Sequence, residues 1–413
     1  MTKKGKTMNI LFLSLANYDS IDERGIYSDL LRKFVSDGNK VYLIAPIERR
    51  LNKKPSIIEE NSSTIVKVNI FNMQKTNVVE KGISMLTIDG IFRRAIKQHF
   101  SDVKFDLVLY PTPPITLLNS IQYVKKRDHA KTYLLLKDIF PQNAVDIGLM
   151  NKKGVKGIIY RYFRRKEQKL YQISDYIGCM SKANVDYLIK HNIDIDKHKI
   201  DVCPNSIDPV DLSCDSTERA AIRKKYNIPL DKTVFLYGGN LGKPQGIDFV
   251  IECLNKCQSI SEAFFLIVGS GTDFFKIENY IDTHKPSNVK LLSFLPKEDY
   301  DRMVGSCDIG MIFLDYRFTI PNYPSRLLAY MQARIPVLAC TDSSTDIGND
   351  ILSGNMGWWC ESNNSDKFVS TVEHIVLSDF SKMGNNAYKY LEENFTAESS
   401  YQTIIKRVKN QWH

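Results

Sequence analysis

Short apolar runs alternate with amphipathic stretches along almost the whole of this chain. Between the apolar runs lie helical patterns such as Tyr27, Leu30, Leu31 and Phe34, which fall at i, i+3, i+4 and i+7. The alternation predicts parallel β-sheets built from βαβ units. The predicted strands are 10–15, 41–45, 65–70, 107–110, 133–136 and 176–180 in the first half, and 234–237, 264–268, 289–292, 309–313 and 337–340 in the second.

The length of the chain predicts two domains. A chain of 413 residues is too long for one hydrophobic core and suits two domains of roughly 200 residues each. The alternation breaks at 204–209 and stays polar to Asp215, so we place the interdomain hinge there. We therefore predict an N-terminal domain over 1–208, a C-terminal domain over 209–390, and a C-terminal helix in 391–413 that packs back on the first domain.

Composition favours a cytoplasmic globular protein. A hydrophobic fraction of 43% and a charged fraction of 25% are ordinary for that class. The sequence has no run of 18 apolar residues, and its opening MTKKGKT lacks the apolar core of a signal peptide. The eight cysteines contain no CxxC pair, and Cys253 and Cys257 have no histidine nearby. Buried thiols are therefore expected rather than zinc ligands or disulfides.

The net charge of +9 is concentrated in one segment, 152–169. This segment holds eight Lys or Arg residues and a single Glu. An amphipathic basic helix fits a membrane surface with anionic lipid, which would place the protein at the inner face of the cell membrane. The alternative is a core-facing helix with a solvated basic back. Nucleic acid is a weaker explanation, because no recognised binding motif accompanies the charge. The predicted apolar stripe is Val155, Ile158, Ile159, Tyr162 and Phe163.

Two segments of the second half indicate an anion-binding site. In 321–340, Ser325 is a predicted N-cap and Arg326 lies in the first helical turn, where the helix dipole favours acidic side chains. A cation there makes sense if a phosphate also binds there; the alternative is an ordinary surface arginine. In 235–246 a predicted strand is followed by a glycine-rich turn, whose N–H groups can surround an anion. Its spacing is neither the P-loop nor the dinucleotide fingerprint.

Together these segments strongly resemble the C-terminal half of the family 4 glycosyltransferases, and the resemblance extends over 8–413. The likeness is to the bacterial capsule and O-antigen branch that transfers N-acetylated amino sugars such as N-acetylfucosamine. It implies an α/β protein of the GT-B class, with two Rossmann-like domains whose parallel sheets face a central cleft. It also implies a retaining, metal-independent glycosyltransferase that needs no cofactor. The donor would be a UDP-sugar, and the acceptor a saccharide linked to polyprenyl diphosphate.

The resemblance also implies site residues. Asp138 follows a predicted strand, at a position where the family places a His or Asp that contacts the donor sugar; the alternative is a helix N-cap. The loop 19–26 matches the family's first glycine-rich turn, which faces the acceptor and the diphosphate. The implied catalytic residues are Asp138, Arg326 and Lys243; the donor-binding residues are Gly239, Asn240, Gly242, Gln245, Gly269, Gly271, Leu295, Ser325 and Leu327; the acceptor-binding residues are Arg24, Gly25, Lys137 and Asn143.

This sequence departs from the family at several positions. Many members carry two glutamates eight positions apart, the second of which holds the donor ribose, and here Pro321 and Ala329 occupy those positions. The basic pair expected in the first C-domain turn is replaced by Asn240 and Gln245. Lys243 and Arg326 are the remaining cations that could bind the diphosphate. One arginine can bind a phosphate group through two hydrogen bonds, so one well-placed side chain can be enough. No DxD-type metal site stands out, since 342–346 resembles a polar loop.

Other functions remain open at this point. A sugar-nucleotide 2-epimerase has two Rossmann-like domains, but should show cleft carboxylates and histidines for proton abstraction, which are absent at matching positions. The lost glutamates favour a non-catalytic partner of a polysaccharide assembly complex, and the basic segment is compatible with a purely membrane-bound scaffold. The sequence does not indicate the sugar, the linkage or the oligomeric state.

Overall fold

The structure is a computed structural model that describes residues 7–409 apart from 61, 74, 75 and 77. The chain forms two compact units, the first made of Met1–Asp208 with Ala397–His413 and the second of Pro209–Thr396. Each unit contains one sheet with helices in its connections. The predicted fold class, two α/β domains with parallel sheets, is confirmed.

Unit 1 is built on an eight-stranded sheet in the order β3-β4-β2-β1-β5-β6-β7-β8. All neighbours are parallel except β3 and β4, which pair antiparallel at the edge. The strands are β1 Asn9–Leu13, β2 Lys40–Glu48, β3 Ser56–Glu60, β4 Ser63–Ile70, β5 Leu107–Pro111, β6 Lys131–Leu136, β7 Tyr176–Cys179 and β8 Ile200–Val202. The α-helices are α1 Ile26–Ser36, α2 Val78–His99, α3 Leu118–Asp128, α4 Gln142–Asp146, α5 Gly154–Ile173 and α6 Lys182–His191.

The sheet of unit 1 is buried on both faces, which explains its nearly continuous apolar strands. Along β1, Leu11 and Leu13 belong to one hydrophobic cluster, and Ile10 and Phe12 belong to another. Because successive side chains of a strand point to opposite faces, these two clusters lie on the two sides of the sheet. The first is covered by helices that include α2 and α3, and the second by α1.

Unit 2 contains a six-stranded parallel sheet in the order β11-β10-β9-β12-β13-β14. Its strands are β9 Thr233–Asn240, β10 Ala263–Ser270, β11 Val289–Leu292, β12 Ile309–Phe313, β13 Val337–Thr341 and β14 Gly357–Glu361. Its α-helices are α7 Ser216–Lys225, α8 Ile247–Lys256, α9 Phe274–His284, α10 Lys297–Ser306, α11 Arg326–Gln332, α12 Ile347–Ser353, α13 Ser365–Val376 and α14 Met383–Asn394.

After unit 2 the chain returns to unit 1 as α15, Ala397–Lys409. The backbone N–H of Ala397 donates to the carbonyl of Ile207 at 2.9 Å. The ring of Tyr401 then packs edge-on against Phe34 of α1, with 4.9 Å between the centroids. These contacts attach the end of the chain to unit 1, next to its boundary at Asp208.

A buried ion pair connects α7 to the sheet of unit 2. Arg223 is fully enclosed, and its Nη2 donates to Oδ2 of Asp308 at 2.7 Å, while its Nε donates to the carbonyl of Ser306 at 2.8 Å. The same Asp308 oxygen accepts the N–H of Val234 at the start of β9. Arg219 also pairs with Asp308, but from a partly exposed position.

We expect Arg223→Ala to destabilise unit 2 by about 3–5 kcal/mol, because it leaves a buried carboxylate without its main partner. Arg219→Ala is the matched control on the same carboxylate and should cost about 1 kcal/mol or less, as partly exposed pairs do. Chemical denaturation followed by the fluorescence of Trp358 and Trp359 measures both. Equal losses in the two variants would contradict the assignment of Arg223 as the main partner.

Candidate functional site

The order of strands in unit 2 places a crevice between β9 and β12. From β9 the chain adds β10 and β11 on one side and β12 to β14 on the other, so the strand order reverses at this point. In open α/β sheets ligands bind at such a reversal, outside the carboxyl ends of the strands. The β9–β12 ladder holds only the pairs Ile309↔Phe235 and Gly310↔Leu236. The two strands therefore separate before their carboxyl ends.

The glycine-rich turn after β9 is held by its own side chains. Oε1 of Gln245 accepts from Nδ2 of Asn240 at 2.8 Å and from the N–H of Gly242 at 3.2 Å. Gly246 has φ +61° and Gly239 has φ +135°, both of which favour glycine. The polar groups of Asn240 and Gln245 thus fix the shape of the turn. Lys243 is exposed at the start of a short 3₁₀ helix, Lys243–Gln245.

Glycines at the end of β10 allow that strand to lie against the turn. A Cβ atom at Gly269 would lie 1.9 Å from the carbonyl oxygen of Gly239, and one at Gly271 would lie 2.1 Å from that of Leu241. Such distances are far below van der Waals contact, so both positions need glycine for packing within the protein. Leu295, another predicted donor-binding residue, is buried in the loop between β11 and α10.

Arg326 lies against the glycine-rich turn. Its Cζ is 4.3 Å from the centroid of the Tyr237 ring, and a Cβ atom at Gly239 would lie 3.3 Å from its Nη2. Its Nη1 is enclosed and has no hydrogen-bond partner among the residues that the structure describes. The structure thus brings together two of the predicted site residues, Arg326 and Gly239.

The charge of Arg326 faces tyrosines. Burial alone lowers the pKa of Arg326, but Tyr237 and Tyr330 outweigh it, and the pKa is raised. Burial raises the pKa of Tyr237 and of Tyr330, and raises that of Tyr300 to about 12. The three hydroxyls are therefore neutral at pH 7, and no salt bridge to Arg326 occurs within the described part of the chain. The guanidinium keeps its full positive charge.

The loop before Arg326 differs from the sequence prediction. Ser325 has helical backbone angles, φ −66° and ψ −16°, and among the described residues its side chain makes no capping hydrogen bond. Ser325 thus stands directly before the helix, as predicted, but its side chain does not cap the described residues of that helix. The N–H groups of Leu327 and Leu328 donate to the carbonyls of Pro324 and Ser325, at 3.3 and 3.1 Å. Because α11 has only seven residues and these N–H groups are engaged, an anion would depend on the side chain of Arg326.

Two contacts that the sequence did not reveal hold this loop. The hydroxyl of Tyr323 donates to Oδ2 of Asp350 at 2.6 Å, and Oγ1 of Thr345 donates to the carbonyl of Asn322 at 2.5 Å. Nδ2 of Asn322 is buried and without a partner in the described residues. The 321–326 loop therefore carries two enclosed donors, on Asn322 and Arg326, that a ligand oxygen could accept from.

In unit 1, Asp138 lies in the loop after β6. Burial raises its pKa from the usual 3.8 to about 6, although Asn143 opposes this by donating Nδ2 to both carboxylate oxygens at 2.8 Å. Oγ1 of Thr112 accepts the backbone N–H groups of Lys137 and Asp138, at 3.0 and 3.2 Å. Thr112 thus fixes the Asp138 loop beside the end of β5.

The predicted acceptor residues have different hydrogen-bond partners. Nζ of Lys137 donates to the carbonyl of Cys203 at 2.9 Å, and burial lowers the pKa of Lys137 to about 8. Asn143 faces Asp138, as described above. Arg24 is exposed, and the N–H of Gly25 donates to Oδ1 of Asp29 at the start of α1. Lys137 therefore binds the end of β8, whereas Asn143 belongs with Asp138.

Helix α5 is largely exposed in its first half, and three of its four buried residues, Glu167, Leu170 and Tyr171, lie in its second half. Four residues of the predicted apolar stripe are 40–79% exposed: Val155, Ile158, Ile159 and Tyr162. The fifth, Phe163, is half-buried and packs edge-on against Phe140, with 5.1 Å between centroids. Phe140 is two residues from Asp138. The stripe is thus not core-facing in the first half of α5, and the helix contacts the Asp138 loop.

Membrane-spanning helices and metal-binding clusters were sought within the residues that the structure describes. No helix in 7–409, with its four omitted positions, is long and apolar enough to cross a membrane. Over the same residues, His, Cys, Asp and Glu side chains form no group of three or more suited to a metal ion.

Comparison with known proteins links unit 2 to sugar transfer. Residues 218–393 match the family model of glycosyl transferases group 1. The probable glycosyltransferase WbjE of Pseudomonas aeruginosa is 23% identical over 341 residues, which cover 81% of this chain and 82% of WbjE. The putative colanic acid biosynthesis glycosyl transferase WcaI of Escherichia coli K12 is 22% identical over 207 residues, which cover 50% of this chain and 49% of WcaI.

Solved structures extend the likeness to the whole fold. The crystal structure of Anabaena HepE in complex with UDP-glucose superposes with a TM-score of 0.67 at 14% identity, covering 98% of this chain and 100% of that one. The chain has the GT-B fold that its sequence predicted. The family match and the two relatives support a glycosyltransferase, and the solved structures show the fold.

We expect Asp138 to make unit 1 less stable as the pH rises. Because its folded pKa, about 6, exceeds the usual 3.8, the stability it contributes is full below about pH 4 and is lost as the pH rises through about 6. In Asp138→Asn this part of the pH dependence should disappear. Unfolding of unit 1, measured by chemical denaturation from pH 4 to pH 8, compares the two slopes.

The exposed Asp194 of the same unit provides the control, since Asp194→Asn should keep the wild-type slope. A wild-type slope in Asp138→Asn would show that the fold does not disfavour the Asp138 carboxylate.

Proposed function

We propose that this protein is a retaining glycosyltransferase of bacterial polysaccharide biosynthesis. It transfers an N-acetylated amino or deoxy sugar from a UDP-sugar to a saccharide linked to polyprenyl diphosphate, as in capsule or O-antigen assembly. The observation that carries the proposal is the enclosed Nη1 of Arg326, which has no hydrogen-bond partner among the described residues. The guanidinium lies beside Gly239, where the strand order of unit 2 reverses. An enclosed cation without a carboxylate partner fits a bound anion, because burial of an unpaired charge is costly.

The donor diphosphate supplies that anion. Arg326 would bind it through Nη1, and Asn322 offers a second enclosed donor in the same loop. Lys243 adds an exposed positive charge on the glycine turn. UDP as the carrier is supported by the likeness to HepE, whose structure contains UDP-glucose.

Catalysis then consists of stabilising the leaving group. As the bond between the anomeric carbon and the diphosphate oxygen breaks, negative charge grows on the diphosphate, and Arg326 and Lys243 are the groups that meet it. The acceptor hydroxyl attacks from the face that the diphosphate leaves. Its oxygen bonds to the anomeric carbon and its proton passes to the departing diphosphate oxygen, so the anomeric configuration is retained. Asp138 contacts the donor sugar. The proposal needs no metal ion and no cofactor, because side-chain cations take the role of neutralising the diphosphate.

A lipid-linked acceptor requires the protein to reach a membrane, and α5 supports this. Its exposed stripe, Val155 to Tyr162, lies beside Lys152, Lys153 and Lys156, which line a surface cavity of about 420 Å³. An apolar stripe with flanking lysines is suited to an anionic bilayer surface. We therefore propose peripheral binding at the inner face of the cell membrane, with no role for nucleic acid.

Arg326→Ala tests the diphosphate site. It should weaken UDP binding by about 10-fold or more, as loss of a charge-assisted hydrogen bond does, while uridine, which lacks the diphosphate, binds as before. Turnover of the UDP-sugar donor should fall by about 100-fold or more. Calorimetry with UDP and uridine, and single-turnover assays over a panel of UDP-N-acetylated sugars, give these values.

The control is Arg334→Ala. Arg334 also lies over a tyrosine ring, that of Tyr388 at 3.9 Å, but pairs with Asp211. Its loss should leave the UDP-to-uridine affinity ratio unchanged. An unchanged ratio in Arg326→Ala would refute the diphosphate site, and donor binding without any transfer or hydrolysis would favour the non-catalytic partner.

Membrane binding is tested by reversing three charges, Lys152→Glu, Lys153→Glu and Lys156→Glu. Each basic residue near an anionic bilayer contributes about 1 kcal/mol to the binding free energy. The triple variant should therefore no longer bind vesicles that contain anionic phospholipid. Wild-type binding should weaken with salt, because the attraction is screened over about 8 Å at physiological ionic strength. Vesicle flotation measures both effects.

Three exposed lysines elsewhere in unit 1, Lys104, Lys126 and Lys190, allow the same charge change as a control, and that variant should still float with vesicles. Transfer to a lipid-linked acceptor in vesicles should fall in the α5 variant, while transfer to a short-chain soluble analogue survives. Equal loss with both acceptors would mean that α5 supports the fold and not membrane docking.

A further inference from the structure

The hydroxyl of Tyr330 occupies the gap between β9 and β12. It lies 3.2 Å from the carbonyl oxygen of Leu236 on β9 and 3.0 Å from that of Met311 on β12. The N–H of Gly238 donates to it at 3.3 Å. A hydroxyl can donate one hydrogen bond and accept others, so it serves one carbonyl at a time and accepts from Gly238. Backbone groups left open where the two strands separate thus find their partner in a side chain.

The ring of Tyr330 packs in a space that exists because residue 310 is glycine. It is fully buried, and a Cβ atom at Gly310 would lie 2.3 Å from its Cγ, so the ring fits only because position 310 is glycine. Gly310 is also the last residue of the short β9–β12 ladder. The ring therefore packs on β12 at the point where pairing ends, and its hydroxyl reaches the polar groups just beyond.

The same tyrosine is attached to the two halves of the diphosphate site. Arg326 precedes Tyr330 by four residues on α11, so both side chains lie on one face of that short helix. The N–H that Tyr330 accepts belongs to Gly238, the neighbour of Gly239, against which the guanidinium of Arg326 lies. The hydroxyl therefore fixes α11 relative to the glycine turn, and with it the distance from Arg326 to the turn.

We propose that Tyr330 is the positioning residue for Arg326, acting through the hydroxyl placed between the separated strands β9 and β12. This inference rests on the proposed function, in which Arg326 binds the diphosphate. Tyr330 does not touch the ligand itself. It holds the cation at the turn, so that the charge is in place before the diphosphate binds and needs no rearrangement. The alternative is a core tyrosine whose hydroxyl contributes to stability alone.

The test is Tyr330→Phe, which removes one oxygen and keeps the ring. We expect the UDP-to-uridine affinity ratio to fall by about 5-fold or more, since a neutral hydrogen bond typically contributes a factor of that size. Uridine affinity should stay near wild type. The ratio is measured on the same folded molecules, so a partly unfolded preparation changes both affinities equally and leaves the ratio intact.

A matched control and a second background complete the experiment. Tyr280→Phe removes another buried hydroxyl of unit 2, one that accepts from Gln258, and should leave the ratio unchanged. In an Arg326→Ala background, Tyr330→Phe should cause no further fall in the ratio, because a positioning residue has nothing left to position.

Each other outcome overturns the inference. A wild-type ratio in Tyr330→Phe, or an equal loss of UDP and uridine affinity, would make Tyr330 a structural residue only. A full additional fall in the Arg326→Ala background would mean that Tyr330 acts independently of Arg326. If Arg326→Ala itself leaves the ratio unchanged, the proposed diphosphate site fails first, and that result is distinct from a failure of Tyr330 alone.

Discussion

The site in unit 2 depends on the enclosure of one cation without a counter-ion. Burial of the Arg326 guanidinium costs free energy, and the aromatic face of Tyr237 beneath it offsets part of this cost, by up to about 2 kcal/mol in a desolvated setting. The elements around Arg326 are held in place by specific contacts. Gly239 gives it room, the Tyr323–Asp350 contact holds the loop before it, and α11 is attached to the sheet through Tyr330. A guanidinium held in this way can bind an anion without a change in its position.

Sequence patterns predicted the sheets well because buried parallel strands are continuous apolar runs. All eleven predicted strands are present. The three that were not predicted lack that signal: β3 is an antiparallel edge strand with exposed residues, β8 has three residues, and β14 has two half-buried tryptophans in Gly357–Glu361. Their pairing is decided by tertiary contacts, which single-sequence propensity does not capture.

The candidate site was less predictable than the fold. Arg326 was identifiable because a cation at a helix start is unusual, yet the predicted cap at Ser325 is absent from the described contacts of α11. The sequence did not reveal that the oxygen of Gln245 accepts hydrogen bonds from Asn240 and Gly242 within the turn. The role of Tyr330 could not be predicted, because in the sequence it is one apolar residue among several on a buried helix. Only the geometry shows that its hydroxyl serves the backbone of two separated strands.

The loss of the two family glutamates is consistent with the electrostatics of this loop. Pro321 and Ala329 bring no negative charge to positions five residues before and three residues after Arg326. The side chain that lies against the guanidinium is that of Tyr237, which is neutral at pH 7. An acidic residue here would pair with the guanidinium and compete with a phosphate for it. With neutral residues at both positions, neither Pro321 nor Ala329 supplies a counter-ion to the guanidinium of Arg326.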